Sequence, residues 1–170
     1  MDLKSYIRSV QDYPKPGVLF YDITPLLSDA VGFAATIEAL AAPYRGQAID
    51  VVVGIESRGF ILGAPVAERL GAGFVPMRKP GKLPGKRARA EFALEYGTDA
   101  LEIHEDAIRP GQRVLIVDDV LATGGTAGAA ISLVKQIGGA LYGLAFLIEL
   151  SFLDGKAKLG DEQVFSALRY

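Results

Sequence analysis

Apolar residues run through this chain in short blocks, each closed by glycine or a polar turn. Residues 49–54 (IDVVVG) read as a buried strand, 55–59 (IESRG) as a polar turn, and 60–70 as a helix stopped by Gly71, Ala72 and Gly73. Residues 74–77 (FVPM) predict a second strand and 113–117 (RVLIV) a third. The third runs into Asp118 and Asp119, a Thr-Gly-Gly-Thr turn and a helix over about 126–137; residues 141–148 make a fourth strand. A helix over 29–44, with Ser28 as its N-cap, covers one face. Strand, turn and helix repeated with β-branched strands predict an α/β fold with a central, mainly parallel sheet flanked by helices.

In open parallel sheets a ligand sits beyond the carboxyl ends of the strands. Three places qualify: Glu56, Ser57 and Arg58; the loop after Met77; and residues 118–126. The stretch 78–91 is different in kind. It carries Arg78, Lys79, Lys82, Lys86, Arg87 and Arg89 among two prolines and two glycines, which predicts a long loop and excludes a helix or central strand.

Composition narrows the chemistry. The 170 residues fit one domain, and half of them are hydrophobic. With no cysteine, disulfide scaffolds, cysteine-based zinc sites and thiol nucleophiles are excluded. A Ser-His-Asp triad would have to use His104, the one histidine, which reads as a surface or capping residue. A net charge of −2 argues against a nucleic-acid partner. Residues 1–4 lack the pattern of a secretory signal, and the longest uncharged run, 120–134, is short and glycine-broken for a membrane span. No membrane partner and a cytoplasmic location are expected.

The segment 114–126 (VLIVDDVLATGGT) carries the strongest chemical signal. Adjacent carboxylates can accept from a vicinal diol or hold a hydrated Mg²⁺. The glycines after them let backbone N–H groups converge on an anion, threonine hydroxyls add donors, and a helix N-terminus adds a favourable field. Diol acceptors followed by a phosphate cradle describe a pocket for a ribose 5-phosphate. Competing motifs are missing: there is no G-x-x-x-x-G-K-[ST], no G-x-G-x-x-G after a strand and no G-x-S-x-G around Ser57.

This segment resembles the phosphoribosyl-pyrophosphate (PRPP) signature of type I phosphoribosyltransferases. Residues 16–27 (PGVLFYDITPLL), 56–60 (ESRGF), 78–85 (RKPGKLPG) and 94–97 (LEYG) are further similar to the adenine phosphoribosyltransferases, in that family's order over nearly the whole chain. The resemblance implies that adenine and PRPP, with Mg²⁺, give AMP and pyrophosphate. Asp118 and Asp119 would hold the ribose hydroxyls, with Mg²⁺ bound mainly through substrate near them. Ala122, Thr123, Gly124, Gly125 and Thr126 would cradle the 5-phosphate. Ser57 and Arg58, with Arg78, Lys79 and Lys82, would face the pyrophosphate, and the Glu56–Ser57 peptide is expected to be cis. Lys86, Arg87 and Arg89 are expected to be mostly exposed.

Phe20 and Leu150 would flank the adenine, with backbone groups near Leu19 reading its edge and Glu149 orienting the base loop. Glu95 would share a proton with the purine ring, and Arg58 would act with it in catalysis. Glu95 and Tyr96 would reach the site when a mobile loop, about 78–92, closes. A small hood is expected from about 13–27 and the C-terminal end, on a single phosphoribosyltransferase domain that forms a homodimer. Tyr21 departs from the arginine common among relatives. Two rivals are an enzyme for 6-oxo purines, which typically places a lysine near the base, and a PRPP-sensing regulator, which would need a DNA-binding domain for which the chain leaves no room.

Overall fold

The computed structural model describes residues 2–94 and 97–170. In chain order its elements are β1 (Arg8–Gln11), β2 (Leu19–Asp22), α1 (Thr24–Ser28), α2 (Ala30–Ala41), β3 (Val51–Ile55), α3 (Arg58–Leu70), β4 (Gly73–Met77), β5 (Arg87–Ala93), β6 (Thr98–His104), β7 (Arg113–Leu121), α4 (Gly125–Gln136), β8 (Ala140–Glu149) and β9 (Val164–Arg169).

The central sheet has five strands in the order β4-β3-β7-β8-β9, and every neighbouring pair is parallel. Its apolar blocks alternate between two cores. Val51, Val53, Ile55, Val114, Ile116 and Phe146 point into one; Val52, Leu115, Val117, Ala145 and Leu147 point into the other. A strand buried on both faces must be apolar throughout, which is why these segments are continuous runs. Helix α4 supplies Ala130, Leu133 and Val134 to the first core. Helices α2 and α3 close the second with Ile37, Leu40, Leu62 and Val66.

The basic stretch 78–91 corrects the expected long loop. Residues 87–93 form strand β5, paired antiparallel with β6. The cause is a period of two: Ala88 is buried and Ala90 and Phe92 are partly buried, while Arg87, Arg89 and Glu91 face outward. Both prolines precede the strand, so no ladder donor is lost. The hairpin lays Leu101 and Ile103 on the first core.

The N-cap of α2 is also corrected. Asp29, not Ser28, accepts from the Gly32 N–H at 2.7 Å; Ser28 closes α1 by donating to the Pro25 carbonyl at 2.9 Å. The helix itself ends at Ala41.

Strands β1 and β2 form a separate antiparallel pair that carries Phe20. It meets the C-terminal end of the chain through Tyr21, whose ring stacks on Tyr170 with centroids 4.1 Å apart. Lys4 lies over the Tyr170 ring and donates to the Arg169 carbonyl at 2.6 Å. Tyr21 thus fastens the two parts of the expected hood to each other.

Candidate active site

Asp118 and Asp119 lie inside β7, near its carboxyl end, and are 8% and 7% exposed. The Asp119 N–H donates to Asp118 Oδ1 at 2.9 Å, and Asp119 Oδ2 pairs with Arg58 Nε. Arg58 opens α3, directly after the Glu56–Ser57 peptide, which is cis as expected. Burial first, and then the neighbouring Asp119 charge, push the Asp118 carboxyl well above its ordinary range. Burial works against the Arg58 charge, but Asp119 outweighs it and Arg58 stays firmly protonated.

These groups line one cleft of about 430 Å³, with Ser57, Lys79, Ala122 and Thr126 on its walls. A smaller recess of about 70 Å³ opens beside it, formed by Ala122, Thr123, Gly124, Gly125 and Thr126 at the start of α4. Gly124 has φ +87°, a conformation open chiefly to glycine. The turn is held against a segment far away in sequence. A Cβ on Gly124 would meet the Gly155 carbonyl oxygen at 2.6 Å, and one on Gly155 would meet the Ala122 carbonyl oxygen at 2.1 Å. Gly155 is a shaping residue that the sequence reading missed; the Asp154-Gly155 pair after β8 is the turn signal that marks it.

The cations after β4 are tied to carboxylates. Lys82 pairs with Glu56, Lys79 pairs with Asp99, and Arg78 Nε lies 3.4 Å from Glu56. Burial raises the Glu56 carboxyl, but Lys82, the Lys79 N–H and Arg78 together hold it below its usual range. The Lys79 ammonium likewise lowers Asp99. The sequence places Glu56 in a candidate ligand turn without a specific role and gives no sign of Asp99. Arg87 and Arg89 are about half exposed, and both approach buried Glu102, at 3.1 and 3.6 Å.

A second cleft, about 370 Å³, adjoins the first. Val10, Tyr13, Phe20, Asp22 and Thr24 line it, and Arg58 belongs to both. The Phe20 ring meets Tyr13 edge to face at 5.1 Å and lies 5.8 Å from the Arg58 guanidinium. Leu19 is exposed at the start of β2 and does not line this cleft. Leu150 follows β8, packs partly buried against the second core and does not line this cleft, so Phe20 and Leu150 are not brought together as its two walls. Glu149 is buried and lies 3.3 Å from Arg169. Glu95 lies outside the described residues, as does Tyr96.

An opening of about 540 Å³ sits elsewhere, at the base of the β5–β6 hairpin. It contains His104, whose Nε2 is 2.8 Å from the Pro84 carbonyl oxygen, and the positive-φ Gly85, but no helix N-terminus lines it. The carboxylate pair beside the anion recess therefore outweighs it as the candidate site, although it is the smaller space.

A family model described as a phosphoribosyl transferase domain matches residues 27–164. An adenine phosphoribosyltransferase of Acidobacterium capsulatum is 60% identical over 168 residues, covering 99% of this chain and 93% of that protein. The chain belongs to the adenine phosphoribosyltransferase family. The enzyme of that name from Thermoanaerobacter pseudethanolicus superposes with a TM-score of 0.96 at 51% identity, over 99% of this chain and 98% of the other. The Saccharomyces cerevisiae adenine phosphoribosyltransferase, solved with adenine and an imino-altritol bisphosphate, gives 0.92 at 43% identity, over 97% and 96%. The five-stranded parallel sheet and its flanking helices are the fold of this family.

The Phe20 cleft carries a charge cluster with a pH consequence. Asp22 accepts from the Thr24 N–H at 2.9 Å, from the Thr24 hydroxyl at 2.7 Å and from Arg8 at 2.6 Å, and these lower its pKa to about 2. An unfolded aspartate titrates near pKa ~3.9. A carboxyl with a depressed folded pKa contributes stability above the unfolded value and loses it as pH falls through the folded one. Between pH ~4 and about 2 the wild type is therefore expected to lose stability that Asp22→Asn does not lose. Urea midpoints at pH 7 and pH 3 check this; equal losses in the two proteins would contradict it.

Proposed function

We propose that this protein transfers the 5-phosphoribosyl group of PRPP to adenine, giving AMP and pyrophosphate. The observation that carries the reading is the shared wall at Arg58. On one side lies the carboxylate pair with its anion recess; on the other lies the cleft built on Phe20. A ribose held by Asp118 and Asp119, with its phosphate at residues 122–126, would present C1 toward a purine stacked on Phe20. The N9–C1 bond would form as the C1–oxygen bond to pyrophosphate breaks, with the electron pair leaving on the pyrophosphate. Ser57, Arg58, Arg78, Lys79 and Lys82 supply donors and positive charge on the side where that polyanion develops. Glu95 is proposed, from the family motif alone, to share the purine proton. The backbone near Leu19 keeps its proposed place at the adenine edge, and Leu150 its proposed place on the face of the base opposite Phe20.

Mg²⁺ suits this donor set. Two buried carboxylates stand side by side, and burial, then the Asp119 charge, disfavours the ionised form of Asp118, which a nearby cation would stabilise. No group of three or more metal-ligating residues occurs among the described residues; an ion here would be held by one or two carboxylates and largely by substrate phosphates. When bound, the ion would neutralise charge on the diphosphate. Chelation with EDTA is expected to reduce turnover to background and added Mg²⁺ to restore it; full turnover in EDTA would contradict the assignment.

Adenine is favoured over 6-oxo purines because, among the described residues, no lysine lines the Phe20 cleft. We further propose a homodimer acting in the cytoplasm on these small molecules, without nucleic-acid or membrane partners. Among the described residues no helix is long and apolar enough to cross a membrane. The reverse reaction tests the assignment of both clefts at once. With AMP and labelled pyrophosphate, label is expected in PRPP as adenine is released. Absence of exchange while AMP still binds would contradict the proposal.

A further inference from the structure

The cations proposed to face the pyrophosphate are already engaged by protein carboxylates; Lys79 lines the cleft, and Arg78 and Lys82 adjoin it through Glu56. Lys82 Nζ pairs with Glu56 Oε1. The Lys79 N–H donates to Glu56 Oε2 at 2.9 Å, and Arg78 Nε lies 3.4 Å from the same oxygen. Arg78 Nε is buried and makes no hydrogen bond, so its link to Glu56 is one of charge. Lys79 Nζ is held in turn by Asp99. Two cations and a main-chain N–H converging on one anion is the arrangement of a phosphate site. Here the anion is a glutamate whose side chain is 9% exposed and which lines the catalytic cleft beside Ser57, Arg58 and Lys79.

We propose that Glu56, seconded by Asp99, sets the affinity of the site for diphosphate by occupying its cations until the ligand displaces it. The inference rests on the proposed phosphoribosyl transfer and adds to it a reason for pyrophosphate to leave. A diphosphate entering the cleft must exchange Lys82 and Lys79 out of existing pairs, so it gains only the difference between two anionic partners. After transfer, the carboxylates recapture the cations as the product departs. A cradle of unpaired cations would bind pyrophosphate more tightly and release it more slowly. Glu56 and Asp99 act through the lysines and do not touch the reacting atoms.

The test is calorimetric titration of the full chain with pyrophosphate and Mg²⁺. Glu56→Gln keeps the side-chain shape and removes the competing charge. It is expected to bind pyrophosphate about fivefold more tightly than wild type, the size of one ion pair no longer given up. Its kcat is expected to fall while kcat/KM for PRPP does not, because product release slows. Asp99→Asn is expected to shift both quantities in the same direction by less. A Glu56 that merely anchors the loop predicts the opposite sign, with weaker binding and a higher KM. Equal or weaker pyrophosphate binding in both variants overturns the proposal. If Glu56→Gln does not fold, as judged by its melting transition, Asp99→Asn decides alone: tighter binding supports the proposal and unchanged or weaker binding overturns it. The outcomes separate from those of the functional reading. Wild type that binds pyrophosphate while the variants do not tighten defeats this inference only, whereas wild type that neither binds pyrophosphate nor turns over PRPP defeats the functional reading.

Discussion

Asp118→Asn is expected to disable the protein and stabilise it at the same time. In the proposed complex the Asp118 carboxylate accepts from a ribose hydroxyl. A hydrogen bond to a charged group contributes about 1.5–3 kcal/mol, so kcat/KM for PRPP should fall roughly 10- to 150-fold. Stability moves the other way. Burial and the Asp119 charge raise the folded pKa of Asp118 above its unfolded value. Such a group favours the folded state while protonated, fully so below pH ~4, and loses that advantage as pH rises through the raised pKa. At neutral pH the buried charge therefore costs the free protein stability. Asparagine removes the charge, and its amide oxygen can still accept from the Asp119 N–H, as Asp118 Oδ1 does. Relief of about 1 kcal/mol corresponds to a melting midpoint higher by ~2–4 °C for a chain of this size. Differential scanning calorimetry at pH 7.5 reads the shift, and it should shrink toward pH 4. A midpoint that falls along with activity would make Asp118 a structural residue and not a functional one.

The second large effect is expected at Gly155, a residue outside the PRPP motif. Its Cβ in Gly155→Ala would lie 2.1 Å from the Ala122 carbonyl oxygen and 2.9 Å from the Gly124 nitrogen. Both are main-chain atoms, so no side-chain rotamer can relieve the clash. Either the 122–126 turn moves or the segment Gly155–Leu159 lifts away. Overpacking of this kind costs ~1–3 kcal/mol. In the proposed complex the larger loss is at residues 122–126, because a phosphate held by their backbone N–H groups would be displaced with the turn. Binding of ribose 5-phosphate is expected to weaken by about 10²-fold. Gly128→Ala, in the same helix α4, is the control: nothing lies within 4 Å of its Cβ, and alanine should be neutral or stabilising there. Calorimetric titration separates the two. Near-normal phosphate binding by Gly155→Ala would show that the recess does not depend on this contact.

These two residues also mark how far the sequence could be read. Asp118 was legible because adjacent carboxylates at the end of an apolar strand, followed by Thr-Gly-Gly-Thr, form a local pattern. The central strands were legible for the same reason: burial on both faces makes 51–55, 114–117 and 144–148 unbroken apolar runs. Gly155 was not, because its role comes from contact with Ala122 and Gly124 across more than thirty residues. Strands β1, β2, β5, β6 and β9 escaped notice; β1, β2, β5 and β9 are largely exposed or only partly buried, and in β5 the charges hid an alternation of period two. The ties of Lys79 and Lys82 to Asp99 and Glu56 depend on the β5–β6 hairpin and on the turn after β3, which no local pattern connects. Tyr21 reads as an anomaly in sequence and becomes intelligible once Tyr170 is seen beneath it.

The central claim is that one site joins a purine to a phosphoribosyl group and selects adenine. Initial rates with PRPP and Mg²⁺, with adenine, hypoxanthine, guanine and xanthine offered separately, test it most directly. The account predicts AMP from adenine and no product above background from the three oxo-purines. Turnover of an oxo-purine at a comparable rate would contradict the assignment of the Phe20 cleft, and no turnover with any base would contradict the claim as a whole.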